Sequence, residues 1–268
     1  PRYMTSFNEE RKGIKVPRKT LRHFPLISRL KRLYSVPWIA DAMTWHGRAK
    51  SDPTVMRHPC DTSQWKAVDS FDQTFAAEPR NVTLGIATDG FCPNASLTNP
   101  YSCWPVIVVP YNLPPSLCMK REFSMLTLLI SGPKQPGKDI DVYLQPLIDE
   151  LKQLWEGVVT YDSLNKFEFT MRSRVLWAIH DHPAFGTLSG CTTHGYFACP
   201  ICGEETTFVY LPESKKICYM GHRRFLPSGH KFRYDKTNFN NEQELRRPKW
   251  PLTGFQVEKK VANIKMKV

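Results

Sequence analysis

The sequence lacks any long apolar run and is short of glycine and of acidic residues. No apolar stretch approaches the roughly 20 residues that a membrane span needs, so we expect no membrane partner. With 14 Gly, 22 Pro and 41% hydrophobic residues, the composition is that of a globular chain. No secretory signal opens the sequence, so we expect the eight cysteines to be reduced thiols or metal ligands, in the cytosol or nucleus.

The shortage of acids gives a net charge of +12, and residues 1–35 hold ten Lys/Arg against two Glu. Leu26, Ile27, Leu30 and Leu33 recur at helical spacing in this segment. We therefore expect an amphipathic basic helix, packed on one side, that contacts a polyanion. The alternative is a solvated surface that serves solubility. The candidate DNA-binding residues here are Arg18, Lys19, Arg29, Lys31 and Arg32.

Periodicity predicts a mixed α/β core after residue 80. Three β-rich runs, at 81–90, 104–113 and 123–132, predict a meander. Apolar residues at helical spacing over 138–157 then predict a helix that Gly157 ends. We expect a hairpin over 157–171 and a strand over 175–179 to follow it.

Two acids stand where candidate strands end, Asp89 after the first and Asp181 after the fourth. The order of three strands, a helix and a strand resembles the ribonuclease H fold, in which the first and fourth strands are neighbours. The resemblance implies that the two acids share catalytic Mg²⁺ or Mn²⁺, with a third acid from a later helix. Carboxylates suit such ions, which activate the nucleophile in phosphodiester chemistry. The alternative is that both acids occupy surface turns.

Cys199 and Cys202 form a C-x2-C pair, followed by Cys218 and His222 in a C-x3-H pair. Four such ligands are the usual set around a structural Zn²⁺, with no open position for catalysis. His194 and His230 are possible substitutes, so the fourth ligand stays open. The remaining cysteines are interpreted as unligated thiols.

Arg223 and Arg224 directly follow the proposed ligand His222. We expect the zinc to hold them in place for phosphate contacts, to which a rigid pair of guanidinium groups is suited. The alternative is that both are internal and paired with Glu204 or Glu205.

Several long blocks, among them "EPRNVTLGIATDGFCP", "HDHPAFGTLSG" and "KICYMGHRRFLPSGHKFR", resemble the plant CACTA, or En/Spm-type, transposases over about residues 15 to 260. The resemblance implies a cut-and-paste enzyme with a ribonuclease H-like domain, Asp89 as first acid and Asp181 as the candidate second. It implies a nuclear protein that acts on transposon ends and target DNA, with a homo-oligomer left open.

The expected organisation is a helical basic lead-in (1–80), a partial ribonuclease H-like core (81–190), a zinc-binding insertion (191–233) and a basic polar tail (234–268). The third acid of the family is absent from this sequence, which makes it a fragment or a degenerate copy. The hypotheses are thus a catalytic-core fragment, an inactive transposase-derived protein that binds zinc and DNA, or a zinc-stabilised domain with a protein partner.

Overall fold

The computed structural model describes residues 7–11, 14–17, 19–49, 52, 54–93, 101–199, 201–250 and 252–263. The chain divides into two compact units, residues 1–184 and 185–268. The strands are β1 (Phe7–Arg11), β2 (Ile14–Pro17), β3 (Leu21–His23), β4 (Val82–Thr88), β5 (Trp104–Pro110), β6 (Met125–Ile130), β7 (Val158–Asp162), β8 (Phe167–Met171), β9 (Ser173–Ile179), β10 (Phe208–Leu211) and β11 (Lys216–Tyr219). The helices are α1 (Leu26–Tyr34), α2 (Pro37–Met43), α3 (Trp45–Arg48), α4 (Ser63–Phe71), α5 (Gln73–Ala76), α6 (Ile140–Glu156), α7 (His182–Ser189), α8 (Lys231–Tyr234) and α9 (Gly254–Val261).

A mixed five-stranded sheet organises the first unit, in the order β3-β6-β5-β4-β9. The strands β4, β5 and β6 form the expected antiparallel meander, and β9 pairs with β4 in parallel. These pairings confirm a mixed α/β core.

The core of this unit joins the sheet to α1 and α6. Leu30 of α1, Leu128 of β6 and Leu154 of α6 are fully buried and belong to one apolar cluster. Burying a leucine side chain contributes about 1.5 to 3 kcal/mol, so these contacts hold both helices on the sheet. The expected basic helix and the helix ending at Gly157 are therefore confirmed.

A remote carboxylate fixes where α1 begins. Glu150 of α6 accepts hydrogen bonds from the backbone N–H of Leu26 at 2.9 Å and of Ile27 at 3.1 Å. It also lies 2.9 Å from His23 Nε2. The first N–H groups of a helix have no partner within the helix, so Glu150 does the work of a cap from another element.

The lead-in differs from the expected all-helical segment. Besides α1 to α5 it contains the antiparallel hairpin of β1 and β2, and it contains β3, which pairs with β6 at one edge of the sheet. The three residues of β3 are too few to show the alternating pattern of a strand. The residues that they pair with are distant in sequence, as Ile130 opposite Leu21 shows.

The second unit contains the hairpin of β10 and β11, the short helix α8 and the helix α9. The predicted hairpin over 157–171 lies in the first unit as β7 and β8. Among the described residues, no helix is long and apolar enough to cross a membrane.

Candidate functional site

Asp89 and Asp181 occupy matching positions on neighbouring parallel strands. The last paired residues of β4 and β9 are Ala87 and Ile179. Asp89 lies two residues after Ala87, and Asp181 lies two residues after Ile179; both acids are exposed. Neighbouring strands lie about 4.8 Å apart, so the register brings the two acid-bearing chain segments to one edge of the sheet.

The backbone on either side of Asp89 is anchored to β5. Thr88 is buried and its hydroxyl donates to the carbonyl of Pro105 at 2.7 Å. Gly90 donates its N–H to Asp89 Oδ1 at 2.6 Å. A Cβ at Gly90 would lie 2.4 Å from Trp104 Nε1, so only glycine lets this turn approach the indole. Asp89 therefore extends from a fixed turn.

Asp181 is held by the helix that follows it. Its Oδ1 accepts a hydrogen bond from the backbone N–H of Ala184 at 2.8 Å, at the start of α7. Aspartate is favoured at this position because it satisfies an N–H that has no partner within the helix. One carboxylate oxygen is thus used by the fold, as the surface-turn alternative expects, and a carboxylate has a second oxygen for a cation.

His180 connects the two strand ends. Its Nδ1 lies 3.2 Å from the carbonyl oxygen of Thr88, the residue before Asp89. Since a carbonyl only accepts, Nδ1 carries the proton in this contact. The sequence signal was the position of His180 directly before Asp181, whereas the "HDH" pattern alone points to another enzyme class.

The donor set at this edge suits a hard divalent cation. Asp89 and Asp181 supply carboxylate oxygens, the ligands that Mg²⁺ prefers and that also suit Mn²⁺. In the part of the chain that the structure describes, no three His, Cys, Asp or Glu side chains form a group that could hold a metal ion.

Cys199 and Cys202 form a turn closed around sulfur. The backbone N–H of Cys202 donates to Cys199 Sγ at 3.3 Å, and Arg224 Nη2 donates to Cys202 Sγ at 2.8 Å. Burial raises the pKa of Cys199, but hydrogen bonds from Cys202 outweigh it and lower the pKa overall. Burial and the neighbouring Cys199 raise the pKa of Cys202, although Arg224 opposes this shift. The thiolate, which is the form that binds zinc, is therefore favoured at Cys199.

Cys218 and His222 are not gathered around these two thiols. Tyr219, next to Cys218 on β11, donates its hydroxyl to the carbonyl of Gly195 at 2.8 Å. Successive side chains on a strand point to opposite faces, so Cys218 lies on the face of the hairpin opposite to Tyr219. Its Sγ lies 3.9 Å from Met220 Sδ. His222 is exposed at the start of a 3-10 turn.

The basic residues predicted to bind DNA divide into engaged and exposed ones. Lys19 donates to the carbonyl of Lys134 at 2.7 Å, and Arg29 donates to the carbonyl of Leu126 at 2.5 Å. Burial lowers the pKa of both groups. Arg32 is exposed and Lys31 is half-buried on α1. Arg18 lies outside the described residues.

Arg223 and Arg224 are both used by the fold of the second unit. Arg223 donates to the carbonyls of Phe232, Asp235 and Glu242 and to Asn240 Oδ1, at distances from 2.8 to 3.0 Å. Arg224 is buried against Cys202. Arg224 is internal, as the alternative expects, whereas Arg223 is half-buried. Their hydrogen bonds go to carbonyls, an amide and a thiol instead of to Glu204 or Glu205.

Comparison with known proteins identifies the family of this chain. No curated protein matches the chain. The model of the transposase family tnp2 matches residues 53–264, which include both acids, the C-x2-C pair and the arginines that follow it. That match covers more than half of the 268 residues. The chain belongs to the transposase family tnp2.

Proposed function

We propose that the first unit is part of a transposase catalytic core that cleaves and joins DNA with divalent cations. The observation that carries the proposal is the register of β4 and β9, which brings Asp89 and Asp181 to one edge of the sheet. A core of the ribonuclease H type would place two of its catalytic acids in this way. Membership of the transposase family supports DNA as the substrate.

In this proposal Asp89 and Asp181 hold the cation between two anchored turns. A divalent cation supplies activation of a water or a 3′-hydroxyl and stabilises the leaving oxygen of the phosphodiester. The protein's contribution is to fix the two carboxylates before the cation arrives, through Thr88 on one strand and the start of α7 on the other. Preorganised ligands make such sites effective.

The test is Mn²⁺ binding to the purified chain, followed by electron paramagnetic resonance, together with nicking of supercoiled plasmid. We expect Asp89→Asn and Asp181→Asn each to weaken Mn²⁺ binding at least tenfold and to remove any nicking. Asp141→Asn, an exposed acid on α6, is the matched control and should change neither. Binding that is equal in all four proteins would refute the assignment.

The second candidate is an inactive transposase-derived protein that binds DNA. It is favoured by the finding that the described residues offer two acids and no group of three metal ligands. The two functions separate in the same experiment. A chain that binds Mn²⁺ through both acids but never nicks DNA supports the second candidate, whereas nicking that depends on Asp89 supports the first.

We also propose a structural zinc at Cys199, Cys202 and Cys218, with the fourth ligand among His222, His194 and His230. The donors that point at the two cysteine sulfurs support this site. Elemental analysis should find one zinc per chain, lost in Cys202→Ser. Cys218→Ser tests whether that residue is the third ligand, and His222→Ala, His194→Ala and His230→Ala identify the fourth. A chain without zinc would contradict the site.

For the interface with transposon ends and target DNA, we propose that Lys31 and Arg32 of α1 contribute, because their charges are less used by the fold than that of Arg29. Phosphate contacts release counterions, so binding should weaken steeply with salt. A protein that acts on such DNA works in the nucleus, which cell imaging of a tagged chain would test. Sedimentation at several concentrations tests whether the chain forms a homo-oligomer.

A further inference from the structure

The C-terminal knuckle, defined here as residues 222–246, is held together by arginines instead of by apolar side chains. Arg233 is only 5% exposed. It donates to the carbonyl oxygens of Arg224, Leu226, Glu244 and Arg246 at distances from 2.7 to 3.0 Å. Because a guanidinium has five donors in a fixed fork, one side chain can satisfy four carbonyls from two chain segments.

The aromatic rings of the knuckle point to solvent. Phe232, next to the buried Arg233 in α8, is 43% exposed. Phe239 is 42% exposed, and its ring centroid lies 6.0 Å from that of Phe232. The guanidinium of Arg223 lies 4.2 Å from the centroid of Phe239, so a cation borders this pair of rings. Apolar surface of this kind is usually buried in a core, and a contiguous exposed patch indicates a binding surface.

The charge beside these rings is positive. The knuckle contains six Lys or Arg residues and three acidic ones, of which Glu244 is buried and paired with Arg246. The ammonium of Lys231 lies 5.4 Å from the centroid of Phe232, and both Lys231 and Lys236 are exposed. A partner for this face must therefore offer flat apolar surfaces together with negative charge.

We propose that the aromatic face of the knuckle, formed by Phe232 and Phe239, binds unpaired DNA bases by stacking. Single-stranded DNA carries both required features, because its bases present free faces and its backbone carries phosphates. In a duplex those faces are stacked on one another, so the face distinguishes unpaired from paired DNA. The inference rests on the proposed function, which makes DNA the substrate, and it specifies which form of DNA the second unit binds.

The test compares the full chain with its variants in fluorescence anisotropy, using labelled oligo-dT of twenty nucleotides and a twenty-base-pair duplex. Phe232→Ala with Phe239→Ala should weaken binding of oligo-dT by about ten- to a hundredfold, the loss expected from one or two stacked bases, and duplex binding less than twofold. Phe232→Trp, which keeps a stacking ring, should bind as the parent does.

Two controls separate stacking from charge and from general exposure. Phe255→Ala removes a ring of α9, outside the knuckle, that is 75% exposed, and it should change neither affinity. Lys236→Gln should weaken both DNA forms alike, because phosphate contacts do not depend on pairing. An equal loss on duplex and single strand in the double variant, or no loss at all, overturns the proposal.

A second measurement does not depend on how the variants fold. Ultraviolet cross-linking of the parent chain to bromodeoxyuridine-substituted oligo-dT should label a peptide that contains Phe232 or Phe239. Labels confined to other peptides would contradict the stacking face and point to a protein partner for it. If oligo-dT fails to bind while Mn²⁺ still binds through Asp89, only this inference is lost; if both fail, the proposed function is lost as well.

Discussion

His180 Nδ1 and the carbonyl oxygen of Thr88 lie 3.2 Å apart and continue the pairing of β4 with β9 beyond its last backbone pair, Ala87 with Ile179. A side-chain hydrogen bond thus extends the strand pairing by one residue. The next residue along each chain segment, Asp89 or Asp181, is a candidate catalytic acid. This contact makes His180 a positioning residue, because it fixes the spacing of Asp89 and Asp181 without supplying a carboxylate itself.

We predict that His180→Asn keeps the Mn²⁺ affinity of the parent within about threefold, since the amide nitrogen of asparagine occupies nearly the place of Nδ1. His180→Gln moves the donor one bond further from the backbone and should weaken Mn²⁺ binding about tenfold, the usual cost of losing an outer-shell partner. Both are measured by electron paramagnetic resonance. Equal affinities in the two variants would show that His180 does not set the spacing.

Gly90 is the second fixed point near Asp89. A methyl group there would lie 2.4 Å from Trp104 Nε1, so we predict that Gly90→Ala lowers the free energy of unfolding by about 1 to 3 kcal/mol, the typical cost of overpacking. Chemical denaturation measures it. Gly229→Ala is the matched control, because no atom lies within 4 Å of the added carbon. An unchanged stability in Gly90→Ala would contradict the close approach.

Much of the sheet could be predicted from the sequence because its signals are local. The run over β4 and the helical spacing over α6 both identify their elements from neighbouring residues alone. The position of β3 could not be predicted, since three residues carry no period and their partner lies in β6. That Asp181 begins a helix was likewise hidden, because the same residue before Pro183 is equally typical of a turn.

The candidate sites show the same division between what is local and what is not. The sequence shows that Arg223 and Arg224 are charged, but not that carbonyls and a thiol would take up their donors. Ligand spacing in the sequence selects Cys218. The spacing does not determine toward which face of the hairpin the Cys218 side chain points, because that depends on the register of β10 with β11. Charge and spacing therefore indicate candidates, and the fold decides which of them are accessible.

A half-buried histidine should make stability depend on pH. Burial lowers the pKa of His46 from an ordinary value of 6.5 to about 4, although Asp69 opposes the shift. As the pH falls, His46 is therefore protonated near pH 6.5 in the unfolded chain but only near pH 4 in the folded chain. The contribution of His46 to the free energy of unfolding is fully present above pH 6.5. It falls by at most about 3 kcal/mol as the pH drops from 6.5 to about 4.

Thermal unfolding of the parent and of His46→Gln between pH 7.5 and 4.5 measures this effect. The variant should lose most of the pH dependence, with a residual slope from His58, whose pKa burial also lowers. A parent that unfolds at the same temperature across the range would contradict a neutral half-buried His46.

The last prediction concerns the charge-conserving change Arg233→Lys. Lysine keeps the positive charge but has no planar fork, so it cannot serve the carbonyls of Arg224, Leu226 and Glu244 together. A buried carbonyl left without a partner costs about 1 to 3 kcal/mol, and we therefore expect the second unit to lose at least about 2 kcal/mol of stability. Limited proteolysis and hydrogen exchange over residues 222–246 report that loss.

Arg247→Lys is the control, because Arg247 is exposed and the same exchange there should leave exchange rates and proteolysis unchanged. Both variants carry the same net charge, so a difference in DNA affinity between them must come from the loosened knuckle and not from lost electrostatics. If Arg233→Lys were as stable as the parent, the knuckle would not depend on the guanidinium fork. Its outward rings would then need another explanation for how they are held in place.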